Sequence, residues 1–313
     1  MLTVFSTPKP FVGHIGLIQR NALGSWKRIH PDVEVILFGD EDGAAEVCSM
    51  LGVRHEPRVE RNQYGTKYLR SIFLSAQEIA THSLVCYVNC DIILTPAFVQ
   101  ALARVASAFP EFLMVGRRWD TAITEPVHFL DPDWACGLER LAKRSGRRQD
   151  PQWIDYFAFS RGLYTDIPPL VIGRVGWDNW LVWRARKSGH VVIDATPAVT
   201  AIHQNHDYAY HPQGAAGVWS DEQARQNFEL AGGSRCLFTI EDATHRVTAD
   251  GISRRAGYRF APLLRELRGA PHRLLSSALR VTRPARHALG LRLDNLNRLG
   301  ARLRGGREAA KES

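Results

Sequence analysis

Short apolar runs alternate with longer stretches of helical period through roughly the first 120 residues. Leu2–Thr7 reads as a strand stopped by Pro8 and Pro10, and Val33–Phe38 as a buried strand that ends in Gly39-Asp40. Val53–Val59, Leu84–Val88 and Phe112–Val115 read as three more, rich in residues that favour a pleated, buried surface. Between them, Ile15, Ile18, Ala22, Trp26 and Ile29 recur with helical spacing, and Gly43–Leu51 reads as a short helix. Tyr68, Leu69, Ile72, Phe73, Ala76, Ile79 and Ala80 share one helix face, with Lys67, Arg70, Ser71, Gln77 and Glu78 turned away. Pro96 opens another helix, with Phe98, Leu102, Val105 and Phe109 inward. This strand–helix alternation predicts an α/β fold with a mostly parallel sheet covered on both faces.

Further along, the pattern loosens. Residues 121–150 read as irregular, ending in the basic, exposed run Lys143–Arg148. A window from Trp153 to Trp183 holds four of the eight tryptophans. Within it, Asp178 stands where a helix can start after Gly176, running to Lys187 and stopping at Gly189. Val191–Asp194 and Val199–Ile202 read as strands, and Ser220-Asp-Glu-Gln223 has capping-box spacing for a helix closing at Gly232-Gly233. Cys236–Ile240 and Arg246–Ala249 read as a closing hairpin.

Composition changes the picture at one end. Residues 254–313 carry 15 Lys and Arg against 4 Asp and Glu, whereas the first 253 carry 25 against 28. The formal charge of +8 therefore belongs to the tail. That tail is Leu/Arg-rich and cut by Pro262, Pro271 and Pro284. It reads as a helical arm on an anionic membrane surface, a disordered extension or a nucleic-acid contact, and its leucine spacing favours lipid over nucleic acid. The organisation expected is a domain over 1–250 and a basic extension over 251–313. Five scattered cysteines without a CxxC pair give neither a disulfide framework nor a zinc knuckle, and no run is apolar enough to span a bilayer. A cytoplasmic protein, peripheral at the inner membrane face through its tail, is the expectation.

The candidate chemistry lies at strand ends. Leu84–Val88 breaks into Asn89-Cys90-Asp91 before apolar residues resume at Ile92. A carboxylate there sits where open α/β sheets bind ligands and can hold Mg²⁺ or Mn²⁺ against a diphosphate; it can equally be a turn residue. Thr7, Asp40, Asp91 and His203 or His206 all follow predicted strands and converge on one rim if the sheet is parallel. No GxGxxG follows the first strand and no P-loop is present.

The order of these pieces, with Asn89-Cys-Asp91, Gly176-Trp-Asp-Asn179 and Ile202-His-Gln-Asn-His-Asp-Tyr208 the most telling, resembles the nucleotide-sugar-dependent glycosyltransferases of GT-A fold, and among them the inverting, family-2-like bacterial members. The likeness spans roughly residues 2–250. It implies a GT-A-like, Rossmann-like fold and transfer of a sugar from a nucleoside-diphosphate sugar to a hydroxyl of a saccharide or lipid-linked acceptor. It also implies a divalent cation, Mn²⁺ or Mg²⁺, held by Asp91 with His203 or His206. Thr7 and Asp40 match the nucleobase pocket, Lys67 and Arg70 the phosphate-facing helix start, and Asn89 the first position of the family's Asp-x-Asp motif. Asp178 matches the catalytic base, while Asp155, Tyr156 and Trp177 are the candidates for acceptor contact. Two other readings stay open. One is a sugar-1-phosphate nucleotidyltransferase, disfavoured because the turn Ser6–Pro10 lacks a Gly-rich, Arg-containing loop. The other is a non-catalytic scaffold, which Asn89 would favour.

Overall fold

Strand β1 (Leu2–Ser6) runs parallel to both β2 (Val33–Phe38) and β4 (Leu84–Val88), and β3 (Arg54–Glu56) extends the parallel set beyond β2. The helices between them are α1 (Gly13–Trp26), α2 (Ala44–Leu51) and α3 (Leu69–Ile79), at the places the apolar spacing predicts. Only β3 departs, with three residues in the ladder where seven were expected. The computed structural model of the chain describes residues 1–207 and 218–255.

Both faces of β1, β2 and β4 are buried, so successive residues feed different cores. Leu2, Val4, Val35, Leu37 and Val88 pack with Ala22, Leu23 and Trp26 of α1 on one side. Phe5, Ile36, Phe38, Val85 and Tyr87 pack with Ile72 and Phe73 of α3 on the other. After β4 the chain makes a three-residue jog, Asn89-Cys90-Asp91, and leaves the large sheet for β5 (Ile92–Ile93), which belongs to a second, four-stranded sheet. The indole N–H of Trp26 donates to Ile92 O at 2.9 Å and ties that crossing to α1. Helix α4 (Pro96–Ala108), with proline in its first turn, and β6 (Phe112–Val115) follow as expected.

Residues 118–160 are more regular than the sequence pattern implied. They hold β7 (Arg118–Thr121), α5 (Trp134–Ser145), β8 (Arg147–Arg148) and β9 (Tyr156–Ser160). Helix α5 fully buries only Ala142, but Trp134, Leu138 and Leu141 share its face and pack with Ile93, Ile123 and Ile202 in a small separate core, a helical spacing that the sequence reading passed over. Strand β9 runs antiparallel between β4 and β6. Then come α6 (Trp177–Lys187), β10 (Val191–Asp194), β11 (Ala201–Gln204), α7 (Glu222–Leu230), β12 (His245–Val247) and β13 (Ile252–Arg254). The large sheet has the order β13-β12-β10-β6-β9-β4-β1-β2-β3, and the small one β5-β11-β7-β8. The fold is thus α/β, with a large, mostly parallel sheet flanked by helices.

Two boundary expectations are corrected. Asp221, not Ser220, caps α7, its carboxylate accepting from Ala224 N at 2.7 Å. The closing hairpin is β12 with β13, while Cys236–Ile240 links two 3-10 turns. Among the described residues no helix is long and apolar enough to cross a membrane. The Leu/Arg-rich fragments expected in the basic extension, and Tyr208 of the histidine-rich piece, lie outside the described residues.

Tyr156 is also corrected. Its ring is fully buried against Phe98, with ring centroids 5.5 Å apart, and its hydroxyl has no hydrogen-bond partner. A Cβ at Gly116 would overlap that hydroxyl, so glycine makes the room for it. Tyr156 is a core residue of β9 and has no face for an acceptor. Because an unsatisfied buried hydroxyl costs stability, Tyr156→Phe is expected to leave Tm equal or slightly higher by calorimetry. Any kinetic constant that depends on acceptor should not move.

Candidate active site

A cavity of about 580 Å³ opens where the carboxyl ends of β1 and β4, the jog after β4, and the starts of β9 and α6 meet. Thr7, Lys67, Asn89, Asp91, Asp155, Trp177, Asp178, His203 and His206 all line it, as expected from sequence. Asp40 and Arg70 do not. The Asp40 carboxylate is 68% exposed and pairs with Arg61 at 2.5 Å, while the neighbouring Glu41 lines the cavity instead. Arg70 lies on the exposed side of α3, paired with Glu60 at 3.1 Å and stacked on Tyr68. An amphipathic helix turns its charged positions to solvent, and Arg70 is one of those.

The pairing of the strands brings the acidic and imidazole groups together. In the small sheet, His203 of β11 is opposite Ile92 of β5 on one side and Asp120 of β7 on the other. Asp91 immediately precedes β5, so its carboxylate meets the histidines from across the ladder. His203 Nε2 is 3.8 Å from Asp91 Oδ2, and His206 Nε2 is 3.2 Å from the same oxygen. Ligand atoms of Asp91, His203 and His206 lie within 4.8 Å of one another. Burial alone would raise the Asp91 pKa, but His203 and His206 hold it well below the usual carboxylate range. Asp91 Oδ1 is buried without a hydrogen-bond partner, which a carboxylate seldom tolerates. A cation would satisfy it, so this oxygen–imidazole set fits a divalent metal.

The cations around this cluster are held by the protein. Lys67 Nζ contacts Glu41 Oε1 at 2.5 Å, Thr7 Oγ1 at 2.5 Å and Pro8 O at 3.0 Å. Burial lowers its pKa, with Glu41 pulling the other way. It therefore knits the cavity floor and is not the solvent-facing helix-start cation that the sequence pattern implied. Gly39, with φ +117°, permits this: a Cβ there would overlap Glu41 Oε2 and Lys67 Nζ. Lys9 also lines the cavity. Gln19 clamps its backbone, accepting from Lys9 N at 2.7 Å and donating to Lys9 O at 2.8 Å. Burial lowers the Lys9 pKa and the nearby Asp91 opposes that shift.

On the β9 side, both oxygens of Asp155 accept from Arg118 Nη1, at 3.2 and 3.1 Å. Asn89 Nδ2 donates to Asp155 Oδ1 at 2.6 Å. Asp155 is therefore a structural partner of Asn89 and Arg118, with little left to offer an acceptor hydroxyl. Arg118 Nε donates to Asp120 Oδ1 at 2.8 Å, and that oxygen is 3.2 Å from His203 Nδ1, at an angle that falls short of a good hydrogen bond. Asn89, Asp155, Arg118, Asp120, His203 and Asp91 thus form a ring of side chains closed through the backbone of the jog. Arg118 also stacks on Trp153, with the guanidinium 4.8 Å from the ring centre. Arg118 and Asp120 lie three and five residues beyond the expected strand Phe112–Val115, but they belong to β7, which has no apolar pattern of its own, and they were not singled out.

Asp178 stands in the first turn of α6, where Gly176 takes φ +94° at the helix cap. The carboxylate keeps some contact with the cavity but is ringed by protein. Burial pushes its pKa up to about 7, opposed chiefly by the backbone amide of Asn179. Trp177, beside it, packs edge-on against Tyr87 with centroids 5.4 Å apart and is 5% exposed. At most its edge reaches a ligand.

An α/β fold with an acid–imidazole cluster at the sheet's edge is the class of protein that the coordinates define. Among solved structures the chain is similar to glucosyl-3-phosphoglycerate synthase of Mycobacterium tuberculosis, at 15% identity over 74% of this chain and 81% of that one, with a TM-score of 0.46. The same enzyme in complex with Mn²⁺, uridine diphosphate and glucosyl-3-phosphoglycerate matches at 15% identity over 74% and 80%, with a TM-score of 0.45. A further mycobacterial protein matches at 13% identity over 74% and 75%, with a TM-score of 0.46. No family model and no curated protein matches the chain. At these identities and scores the similarity carries no argument about chemistry.

Proposed function

We propose that this chain is an inverting glycosyltransferase of GT-A type, moving a sugar from a nucleoside-diphosphate donor to a hydroxyl acceptor. The observation that carries the reading is one cavity lined both by the Asp91, His203 and His206 cluster and by Asp178, a carboxylate with a pKa of about 7. A base that titrates near neutrality suits proton removal from a hydroxyl. A divalent cation held by Asp91, His203 and His206 would stabilise the charge developing on a departing diphosphate. Two imidazoles favour Mn²⁺ over Mg²⁺ in that place. Thr7, Glu41 and Lys67 form the wall nearest the end of β2 and suit the donor's base and ribose. Lys9, beside Asp91, suits the diphosphate. Asp178 accepts the proton of the attacking hydroxyl. The acceptor is a saccharide or lipid-linked sugar, with Trp153 and Trp219 offering ring faces at the cavity wall. Residues 254–313 add a basic segment suited to an anionic membrane surface.

Thermal-shift measurements with UDP, GDP and CDP, each with and without Mn²⁺, test donor binding, because a ligand of the folded state raises Tm by mass action. One nucleotide should stabilise the protein, and more so with Mn²⁺; its sugar conjugate should then release free nucleoside diphosphate in the presence of acceptor. Production of pyrophosphate would replace this reading with nucleotidyl transfer. No response to any nucleotide would leave a non-catalytic scaffold.

The raised Asp178 pKa fixes the sign of two pH effects. Only the ionised carboxylate can act as base, so kcat/KM should climb about tenfold per pH unit towards about 7 and level off above it. Stability runs the other way. Between the ordinary carboxylate range and about 7, the folded chain holds a proton that the unfolded chain has released. This group's contribution to stability therefore falls as pH rises through that window, and Asp178→Asn should remove the slope in a series of denaturation curves.

A further inference from the structure

The geometry points to Asp120 as a positioning residue for His203: it fixes which ring nitrogen faces Asp91 and thereby sets the affinity of the site for a divalent cation. This rests on the reading of Asp91, His203 and His206 as a cation site, and concerns a residue that touches no ligand itself. An ionised carboxylate only accepts hydrogen bonds. Asp120 Oδ1 lies 3.2 Å from His203 Nδ1, too oblique for a good hydrogen bond, but a ring lone pair facing a carboxylate at that distance would be repelled, so Nδ1 is the nitrogen to carry the proton. In a neutral ring the lone pair then sits on Nε2, the atom 3.8 Å from Asp91 Oδ2. His206 differs: its Nδ1 lies 2.6 Å from the carbonyl oxygen of Asp207, and its Nε2 is hydrogen-bonded to Asp91 Oδ2 at 3.2 Å, so it offers a lone pair only where a cation takes that proton's place. A cation in this place would be met by the Asp91 oxygen and by the Nε2 lone pairs of both rings.

Asp120 is well placed for this because it cannot turn. Arg118 Nε holds Oδ1 at 2.8 Å, and Gln149 Nε2 holds Oδ2 at 2.5 Å. Arg118 is in turn fixed by Asp155 and by the Trp153 ring. The parallel pairing of β11 with β7 sets His203 and Asp120 side by side in the backbone, before any side chain chooses a rotamer. Outer partners of this kind commonly govern metal affinity by about 10–100-fold.

Two measurements on the full-length protein decide the matter. Long-range ¹H–¹⁵N spectra of the metal-free protein report the protonated nitrogen of each imidazole, with His203→Gln identifying the signals of His203. Calorimetric titration with MnCl₂ alone reports affinity. The wild type should show His203 protonated at Nδ1. Asp120→Asn is isosteric and spares the fold; it should weaken Mn²⁺ binding roughly tenfold. Asp120→Ala, which removes the acceptor, should weaken it by up to about 100-fold and give His203 a mixture of ring tautomers. A purely structural role would lower Tm without moving the tautomer. Mn²⁺ affinities within twofold of wild type in both variants, with His203 unchanged, would overturn the inference. A wild type that binds no Mn²⁺ would instead remove the cation reading, and the spectra would still decide whether Asp120 orients His203.

Discussion

Asp178→Asn is expected to lower kcat by about 10²–10⁴-fold, the range spanned by a single well-placed general base. The donor should bind as before, since nothing near Thr7, Glu41 or Lys67 changes. Mn²⁺ should bind as before too, because Asp178 is not among the clustered ligand atoms. The substitution is a clean test for a local reason. The carboxylate sits over the first backbone amides of α6, and the amide oxygen of asparagine can accept from the same groups. The fold at Gly176 is therefore kept while the proton acceptor is lost. A loss confined to kcat, with donor KM unchanged, is the pattern of an interaction made only in the transition state. Unaltered turnover in this variant would take Asp178 out of the chemistry and leave its raised pKa as a consequence of burial alone.

Arg118→Met should be the most damaging substitution for stability, costing about 3–5 kcal/mol. Methionine keeps the aliphatic bulk against Trp153 but removes the charge. Asp155, itself 6% exposed, would then face the interior with only Asn89 for company. Asp120 loses a partner in the same step. For a chain of this size the loss corresponds to a Tm lower by roughly 6–20 °C, read by calorimetry. A buried pair replaced on both sides by apolar groups is often neutral. The double variant Arg118→Met with Asp155→Leu should accordingly recover most of the stability. It should not recover activity, because the ring that reaches His203 stays broken. A single variant as stable as wild type would show that solvent reaches this pair freely.

The N-terminal half was legible because β1, β2 and β4 are buried on both faces and α1 and α3 carry apolar stripes; β3, a partly exposed Arg-His-Glu, is the strand whose length was overestimated. Leu84–Val88 followed by a break and a resumption at Ile92 was readable as a strand end. That the break is a passage between two sheets was not, since a two-residue strand leaves no periodicity. Strand β9 was not assigned for a different reason: in Tyr-Phe-Ala-Phe-Ser, Tyr156 reads as an acceptor contact, yet Tyr156, Phe157 and Phe159 all point into the two cores. Among the site residues, Thr7, Asn89 and Asp91, which follow β1 and β4, line the cavity, and so does His203, which the structure places inside β11 and not beyond the expected strand Val199–Ile202. Asp40 and Arg70 failed because nothing in the chain says which of two adjacent acids, Asp40 or Glu41, turns inward, or that Arg70 leaves the cavity to pair with Glu60. Arg118 and Asp120 depend on pairings between segments more than 30 residues apart in sequence, as in Arg118 with Asp155, and no local pattern encodes those.

The place of β9 between β4 and β6 has a consequence for how the chain assembles. On one side of it lie strands drawn from residues 2–88, which can zip together soon after they are made; on the other lie β6, β10, β12 and β13. Among the described residues, Tyr156–Ser160 is the hydrogen-bonded seam that joins these two groups in the large sheet. That seam closes over a chain separation of about 70 residues on the β4 side, a slow event for a loop of such length. Asp155 is the residue just before the seam, and its carboxylate anchors Arg118. The stitching of the sheet and the completion of the candidate pocket are therefore expected to fall together: a chain that has not closed its middle would not yet have assembled the Asp155–Arg118 side of that pocket.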